Sequence, residues 1–116
     1  MTDDEIIEQY PDRHHRARVY HGVLSAVEHT GDERPGMSAH ELRRNRTSAG
    51  YGLGEVTTAV NAAVENGDLH RIPDRDGHTR YVRGSEECLR EAIEWLAGWD
   101  DPPKDVIGEL NRALRD

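Results

Sequence analysis

A chain of 116 residues with a formal net charge of −8 is long enough for one domain with a modest core and too short for two independent domains. No run of apolar residues approaches the length of a membrane-spanning helix, and the acidic start lacks the basic and apolar regions of a signal peptide. We therefore expect a cytoplasmic protein with no membrane segment.

The chain begins with an acidic stretch that leads into a helix. Residues 1–12 carry five acidic residues and no basic one, and we interpret them as an N-terminal arm. Helix one is predicted from about Asp12 to His29, because apolar side chains recur there at helical spacing. Its predicted apolar stripe consists of Ala17, Tyr20, Val23, Leu24 and Val27.

A loop and a shorter helix follow. Turn-forming residues predict a loop over residues 30–36. Ser38 and Glu41 have the spacing of a capping box, in which each side chain accepts a hydrogen bond from the other residue's amide. Helix two is therefore expected to begin there and to end near Asn45, before a glycine-rich linker over residues 46–52.

The middle of the chain predicts a third helix and a β-hairpin. Gly67 ends the helix, because glycine can adopt the left-handed conformation that closes a helix. Residues 69–73 and 78–83 then alternate apolar and polar side chains on either side of Asp76-Gly77, a strong hairpin signal. The apolar residues that predict helix three are Val56, Val60, Ala63 and Val64.

Residues 84–116 predict two further helices. Ser85 can cap the fourth, and Pro102-Pro103 separates it from the fifth. The fourth helix has a wide apolar stripe that can dimerise the protein or pack within the chain onto helix one, and the sequence leaves both open. Cys88, the single cysteine, is expected to be a helix-packing residue. The predicted interface residues are Leu89, Ile93, Trp95, Leu96 and Trp99.

The charge is distributed unevenly. Residues 1–12 and residues 84–116 each carry a net charge of −5, which leaves +2 for residues 13–83. The central segment is therefore compatible with a nucleic-acid partner, although the whole chain is acidic. The composition resembles that of salt-in halophiles. The chain has one lysine against fourteen arginines, no phenylalanine and 23 acidic residues.

Residues 13–83 resemble the winged helix-turn-helix family, in particular small prokaryotic and archaeal transcription regulators. The most specific part is Val60–Arg71, in which a helix ends in a polar-glycine turn before an apolar strand. The resemblance implies an α+β, mostly α fold of three helices and a β-hairpin wing, with the two C-terminal helices added. In the family, helix three enters the major groove, the wing contacts the backbone or the minor groove, and the ends of helices one and two meet phosphates. Here the linker before helix three is longer than usual, and helix three has no lysine or arginine.

Three groups of polar residues are the candidate DNA contacts. Hydroxyls and guanidinium groups suit phosphates, and threonine and asparagine can meet base edges. The predicted phosphate contacts are Arg43, Arg44, Arg46, Thr47, Ser48 and Tyr51. The predicted base contacts are Thr57, Thr58 and Asn61. The predicted wing contacts are Arg75, His78 and Arg80.

Other functions fit the sequence less well. His14, His15 and His21 lack the spacing of a zinc site, so we expect no metal and no cofactor. Residues 50–54 are glycine-rich, but they lack the strand and the Gly-Lys-Ser/Thr ending of a phosphate loop, so we expect no enzyme. The sequence therefore predicts a homodimeric regulator that binds double-stranded DNA. The alternative is a winged helix that binds protein, as an accessory subunit of transcription or replication machinery.

Overall fold

The computed structural model describes residues 11–28 and 33–115. Residues 1–10 of the predicted acidic arm therefore lie outside the described residues. The described part is a mostly helical α+β structure with five helices and one three-stranded antiparallel sheet. In chain order the elements are α1 (Pro11–Glu28), β1 (Met37–Ser38), α2 (Ala39–Ser48), α3 (Leu53–Glu65), β2 (Leu69–Pro73), β3 (Thr79–Arg83), α4 (Glu86–Ala97) and α5 (Lys104–Arg115).

Local signals in the sequence account for the start of α2 and the end of α3. The Ser38 hydroxyl accepts a hydrogen bond from the Glu41 amide at 3.2 Å and begins α2 as predicted. Gly67 has a φ of +80° and ends α3 in the left-handed conformation. The predicted end of α2 near Asn45 is wrong, because the helix continues to Ser48. Its last turn is held by the Ala49 amide, which donates to the Asn45 carbonyl at 3.2 Å.

The sheet has the strand order β1-β3-β2 and separates two cores. Tyr81 pairs with Met37 on one side and with Arg71 on the other, so these three residues share a face. That face also carries Leu69 and packs on α1, α2 and α3. The opposite face carries Ile72 and packs on the C-terminal helices. The hairpin is therefore covered by helices on both faces.

The C-terminal helices pack on the sheet. The second core therefore differs from the predicted packing of these helices onto helix one. That core joins Ile72 and Val82 of the hairpin to α4 and α5. Leu89 and Leu96 are buried in it, so these two predicted interface residues are used within the chain. One face of the sheet is apolar and has to be covered by another element. Because only two residues separate β3 from α4, α4 can cover this face with little loss of chain entropy.

Among residues 11–28 and 33–115, no helix is long and apolar enough to cross a bilayer.

Candidate nucleic-acid interface

A shallow groove of about 280 Å³ lies between α2, α3 and β3. We call it the α2–α3–β3 groove. None of the described residues that line it is acidic, although the chain has 23 acidic residues. The groove brings together one predicted phosphate contact, Arg43, and two predicted base contacts, Thr57 and Asn61. Its lining residues are Ala39, Leu42, Arg43, Thr57, Val60, Asn61, Thr79 and Tyr81.

Arg71 of β2, which was not among the predicted DNA contacts, extends this polar surface. Its Nη2 atom donates a hydrogen bond to Asn61 Oδ1 at 2.9 Å. Its guanidinium group lies over the Tyr81 ring, 5.9 Å from the ring centroid. The side chain is nevertheless exposed. The period-two alternation of β2 was the available signal, because it places Arg71 on the same face as Leu69, toward α3.

The structure separates Thr58 from the other two base candidates. Asn61 lies between the two threonines around the helix axis, about 40° from Thr57 and about 60° from Thr58, so the helix geometry alone does not separate them. The neighbouring elements do, because Thr57 and Asn61 line the α2–α3–β3 groove. Thr58 instead lines a second groove between α1 and α3. The hydroxyls of Thr57 and Thr58 donate to the carbonyls of Leu53 and Gly54, each at 2.9 Å. Their protons are therefore used within the helix, while the hydroxyl oxygens can still accept.

The predicted phosphate contacts divide into exposed and packed side chains. Arg43 and Arg44 are exposed on α2. Arg46 is half-buried against α1, where a Cβ atom added at Gly22 would lie 2.5 Å from Arg46 Nη1. It also lies over the Tyr51 ring, 5.8 Å from the centroid, and Tyr51 contacts His15 of α1, so both residues are part of the packing of α2 and the following turn against α1.

The two hydroxyl residues near the end of α2 lie inside the helix and not in the predicted linker. Thr47 Oγ1 donates to the Arg43 carbonyl at 2.9 Å, so its proton is not available to a phosphate. Ser48 is exposed at the last position of the helix.

The prediction that Arg80 is a wing contact is wrong, because its side chain is fully buried. The strand register places Arg80 opposite Ile72 and Ser38, on the face that carries the second core. Its guanidinium group donates to the Asp74 carboxylate at 3.2 Å and to the Gly36 carbonyl at 2.9 Å. Burial of an arginine is tolerated when its charge is paired and its N–H groups are satisfied.

The other two wing candidates are exposed at the hairpin turn, but they face different surroundings. Arg75 lies over Trp95 and Trp99, with its guanidinium carbon 5.9 Å from each ring centroid. The two tryptophan rings meet edge to face at 5.1 Å. The His78 amide donates to the Asp76 carboxylate at 2.9 Å. Arg75 therefore faces the C-terminal helices, whereas His78 remains part of the turn.

No protein-family model, curated protein sequence or solved structure matches this chain. The chemistry of the candidate interface therefore rests on its own side chains. Arg43 and Arg71 supply cationic donors, and Thr57 and Asn61 supply smaller polar groups beside them. This combination suits an anionic polymer whose edges carry both donors and acceptors.

The second groove, between α1 and α3, has a different character. It has a volume of about 590 Å³ and is lined mainly by apolar atoms. His15 Nε2 lies 2.8 Å from Glu55 Oε1 at one end, and this hydrogen bond, together with one from the Gly52 amide, lowers the pKa of Glu55. Tyr20 donates to Asp68 at the side, and burial followed by this hydrogen bond raises the pKa of Tyr20. We call this second groove the α1–α3 groove.

No group of three or more His, Cys, Asp or Glu side chains in residues 11–28 and 33–115 is placed to hold a metal ion. Of the histidines considered from the sequence, His15 pairs with Glu55, and the His21 ring lies 5.9 Å from the Tyr20 ring.

Proposed function

We propose that this protein is a winged helix-turn-helix regulator that binds double-stranded DNA, with α3 as the recognition helix and the β2–β3 hairpin as the wing. The element order from α1 to β3 supports this proposal. The observation that carries it is the α2–α3–β3 groove, where two exposed arginines meet the polar face of α3 and no lining residue is acidic. In a chain with a net charge of −8, this local charge pattern favours phosphate binding.

The side chains suggest a division of roles. Arg43 and Arg44 on α2 would contact phosphates and fix the orientation of the domain on the duplex. Thr57 presents a methyl group and an accepting oxygen to base edges from α3. Arg46 and Tyr51 would act indirectly, because their contacts with α1 and with each other hold the turn that leads into α3.

DNA binding can be tested by fluorescence anisotropy of the full chain with a pool of labelled short duplexes, in potassium chloride from low to molar concentration. Arg43→Ala should weaken binding to all duplexes and reduce the salt dependence by about one counterion. Arg90→Ala is the matched control, because it removes the same charge from an exposed residue of α4. Equal binding by both variants, or no binding at any salt concentration, would contradict the proposal.

A second candidate function is a protein-interaction module, and the α1–α3 groove favours it. The groove is larger and more apolar than the α2–α3–β3 groove, and α3 has no basic residue. A partner helix or strand with apolar anchors would suit it. Under this alternative, Ala62→Arg would abolish partner binding, and the chain would bind no duplex.

The homodimer remains part of the proposal, with Ile93, Trp95 and Trp99 as the half-buried residues of α4 and its end that a second copy would cover. Two related recognition helices would then read half-sites about one DNA turn apart. Sedimentation of the wild type against Ile93→Glu tests this: a dimer that becomes monomeric supports it, and a wild-type monomer contradicts it.

A further inference from the structure

The Asn61–Arg71 hydrogen bond changes which side chain can read a base. An asparagine recognises adenine with its whole amide, by accepting from the N6 amino group and donating to N7. Asn61 Oδ1 already accepts from Arg71 Nη2 at 2.9 Å, and arginine can only donate, so this assignment of the amide oxygen has no ambiguity. The amide is thereby turned toward Arg71, and its recognition of adenine is weakened.

Arg71, in contrast, has a restrained and largely unused guanidinium group. Asn61 takes one of its five N–H donors, and the guanidinium carbon lies over the Tyr81 ring, 5.9 Å from the ring centroid. The remaining edge is free to donate in parallel to two acceptors. Such a restrained fork loses little side-chain entropy when it binds, which separates it from an unrestrained surface arginine.

We propose that Arg71 is the specificity-determining residue of the α2–α3–β3 groove and that it recognises guanine in the major groove through O6 and N7. This inference rests on the proposed DNA-binding function. Guanine is the base that presents two adjacent acceptors at that edge, which match a guanidinium fork. Asn61 and Tyr81 are positioning residues that hold the fork beside Thr57.

A truncated variant distinguishes this role from a phosphate contact. Loss of a phosphate contact weakens binding to all sequences alike, because phosphates carry no sequence information. Loss of a base contact also removes the preference at the base that was read. Arg71→Ala therefore loses the guanine preference if Arg71 reads guanine, and it weakens binding without changing the selected sequences if Arg71 contacts a phosphate.

The experiment is selection of bound sequences from a pool of short duplexes with random centres, carried out in parallel with full-length wild type, Arg71→Ala and Arg43→Ala. The wild type and Arg43→Ala should select a guanine at one shared position, and Arg71→Ala, which loses the same charge as Arg43→Ala, should accept all four bases there. Replacing that guanine by 7-deazaguanine should weaken wild-type binding by about 10- to 100-fold and leave the binding of Arg71→Ala unchanged.

The positioning role of Asn61 has its own readout. Asn61→Ala should reduce the guanine preference, whereas Asn61→Asp retains the acceptor for Arg71 and should retain the preference at lower overall affinity. Circular dichroism verifies that each variant is folded, which is expected because both residues are exposed.

The outcomes separate this inference from the proposed function. If Arg71→Ala selects the same sequences as the wild type, or if 7-deazaguanine has no effect, DNA binding stands and the assignment of Arg71 is overturned. If the wild type retains no duplex, the proposed function fails and the inference fails with it.

Discussion

The carboxylate of Asp74 and the guanidinium group of Arg80 form an ion pair of 3.2 Å in which the exposed fractions of the two side chains are 4% and 0%. The same carboxylate accepts from Arg34 Nη1 at 2.9 Å, and Arg80 Nε donates to the Pro35 carbonyl at 3.0 Å. This network joins the hairpin turn to the segment before β1. It fixes the hairpin relative to the helices through contacts between residues about 40 positions apart in the chain.

The first prediction concerns this ion pair. Asp74→Asn removes the charge that compensates a fully buried arginine, so the free energy of unfolding should fall by about 3–5 kcal/mol. Asp76→Asn is the control, because Asp76 is exposed on the same turn and should change stability by less than about 0.5 kcal/mol. Urea denaturation of both variants measures the difference. Equal midpoints would show that the pair does not stabilise the fold.

The same ion pair shows why part of the structure was not predictable from the sequence. The helices and the hairpin depend on local signals, such as the stop at Gly67 and the turn at Asp76-Gly77, and these signals were read correctly. The environment of Arg80 depends on carbonyl groups far away in sequence. The charge of arginine suggests solvent, although the period-two alternation places Arg80 on the same face as Val82. The distant carbonyl groups and Asp74 are what allow the charge to be buried there.

The candidate site was predictable to a similar extent. The sequence grouped Thr57, Thr58 and Asn61 as polar residues of one helix, which is correct at the level of the element. Their separation depends on how α1 and β3 pack on α3, because Thr58 lies beside α1 and the other two lie beside β3. For Arg71, the alternation of β2 predicts the face toward α3, but the hydrogen bond to Asn61 depends on how β2 and α3 pack, which no local pattern specifies.

The second prediction is a pH dependence of stability. Burial lowers the pKa of His70 below the ordinary value of 6.5, and the Gly67 backbone and Glu109 oppose the shift only in part. The unfolded chain therefore takes up a proton at His70 before the folded chain does. The free energy of unfolding should decrease as the pH falls from 6.5 toward the lower folded pKa.

His70→Gln isolates this contribution, because other groups titrate in the same range. The wild type should lose more stability than the variant as the pH falls below 6.5, and the two should run parallel at higher pH. Denaturant unfolding over a pH series measures the difference. A constant difference across the series would contradict the prediction.

The third prediction uses the tryptophans as reporters of the hairpin turn. The chain has two tryptophans, and Arg75 lies over both rings. Arg75→Ala should change the intrinsic fluorescence and lower the free energy of unfolding by about 0.5–1 kcal/mol per lost contact, because exposed cation–π contacts have about that strength. His78→Ala is the control on the same turn and should leave the emission unchanged. Identical spectra for all three proteins would show that Arg75 does not stack there in solution.

The last prediction compares alanine substitutions at two glycines, which should change the free energy of unfolding in opposite directions. Gly36 has a φ of +71°, and a Cβ atom added there would lie 1.9 Å from the Tyr81 carbonyl oxygen, so Gly36→Ala should disrupt the pairing of β1 with β3. Gly108 lies in α5 with no atom within 4 Å of an added Cβ, so Gly108→Ala should raise the free energy of unfolding by about 0.5–1 kcal/mol through the higher helix propensity of alanine. Thermal unfolding should therefore shift in opposite directions for the two variants. A destabilised Gly108→Ala protein would mean that α5 does not have the described surroundings, whereas a stable Gly36→Ala protein would mean that β1 does not approach β3 closely.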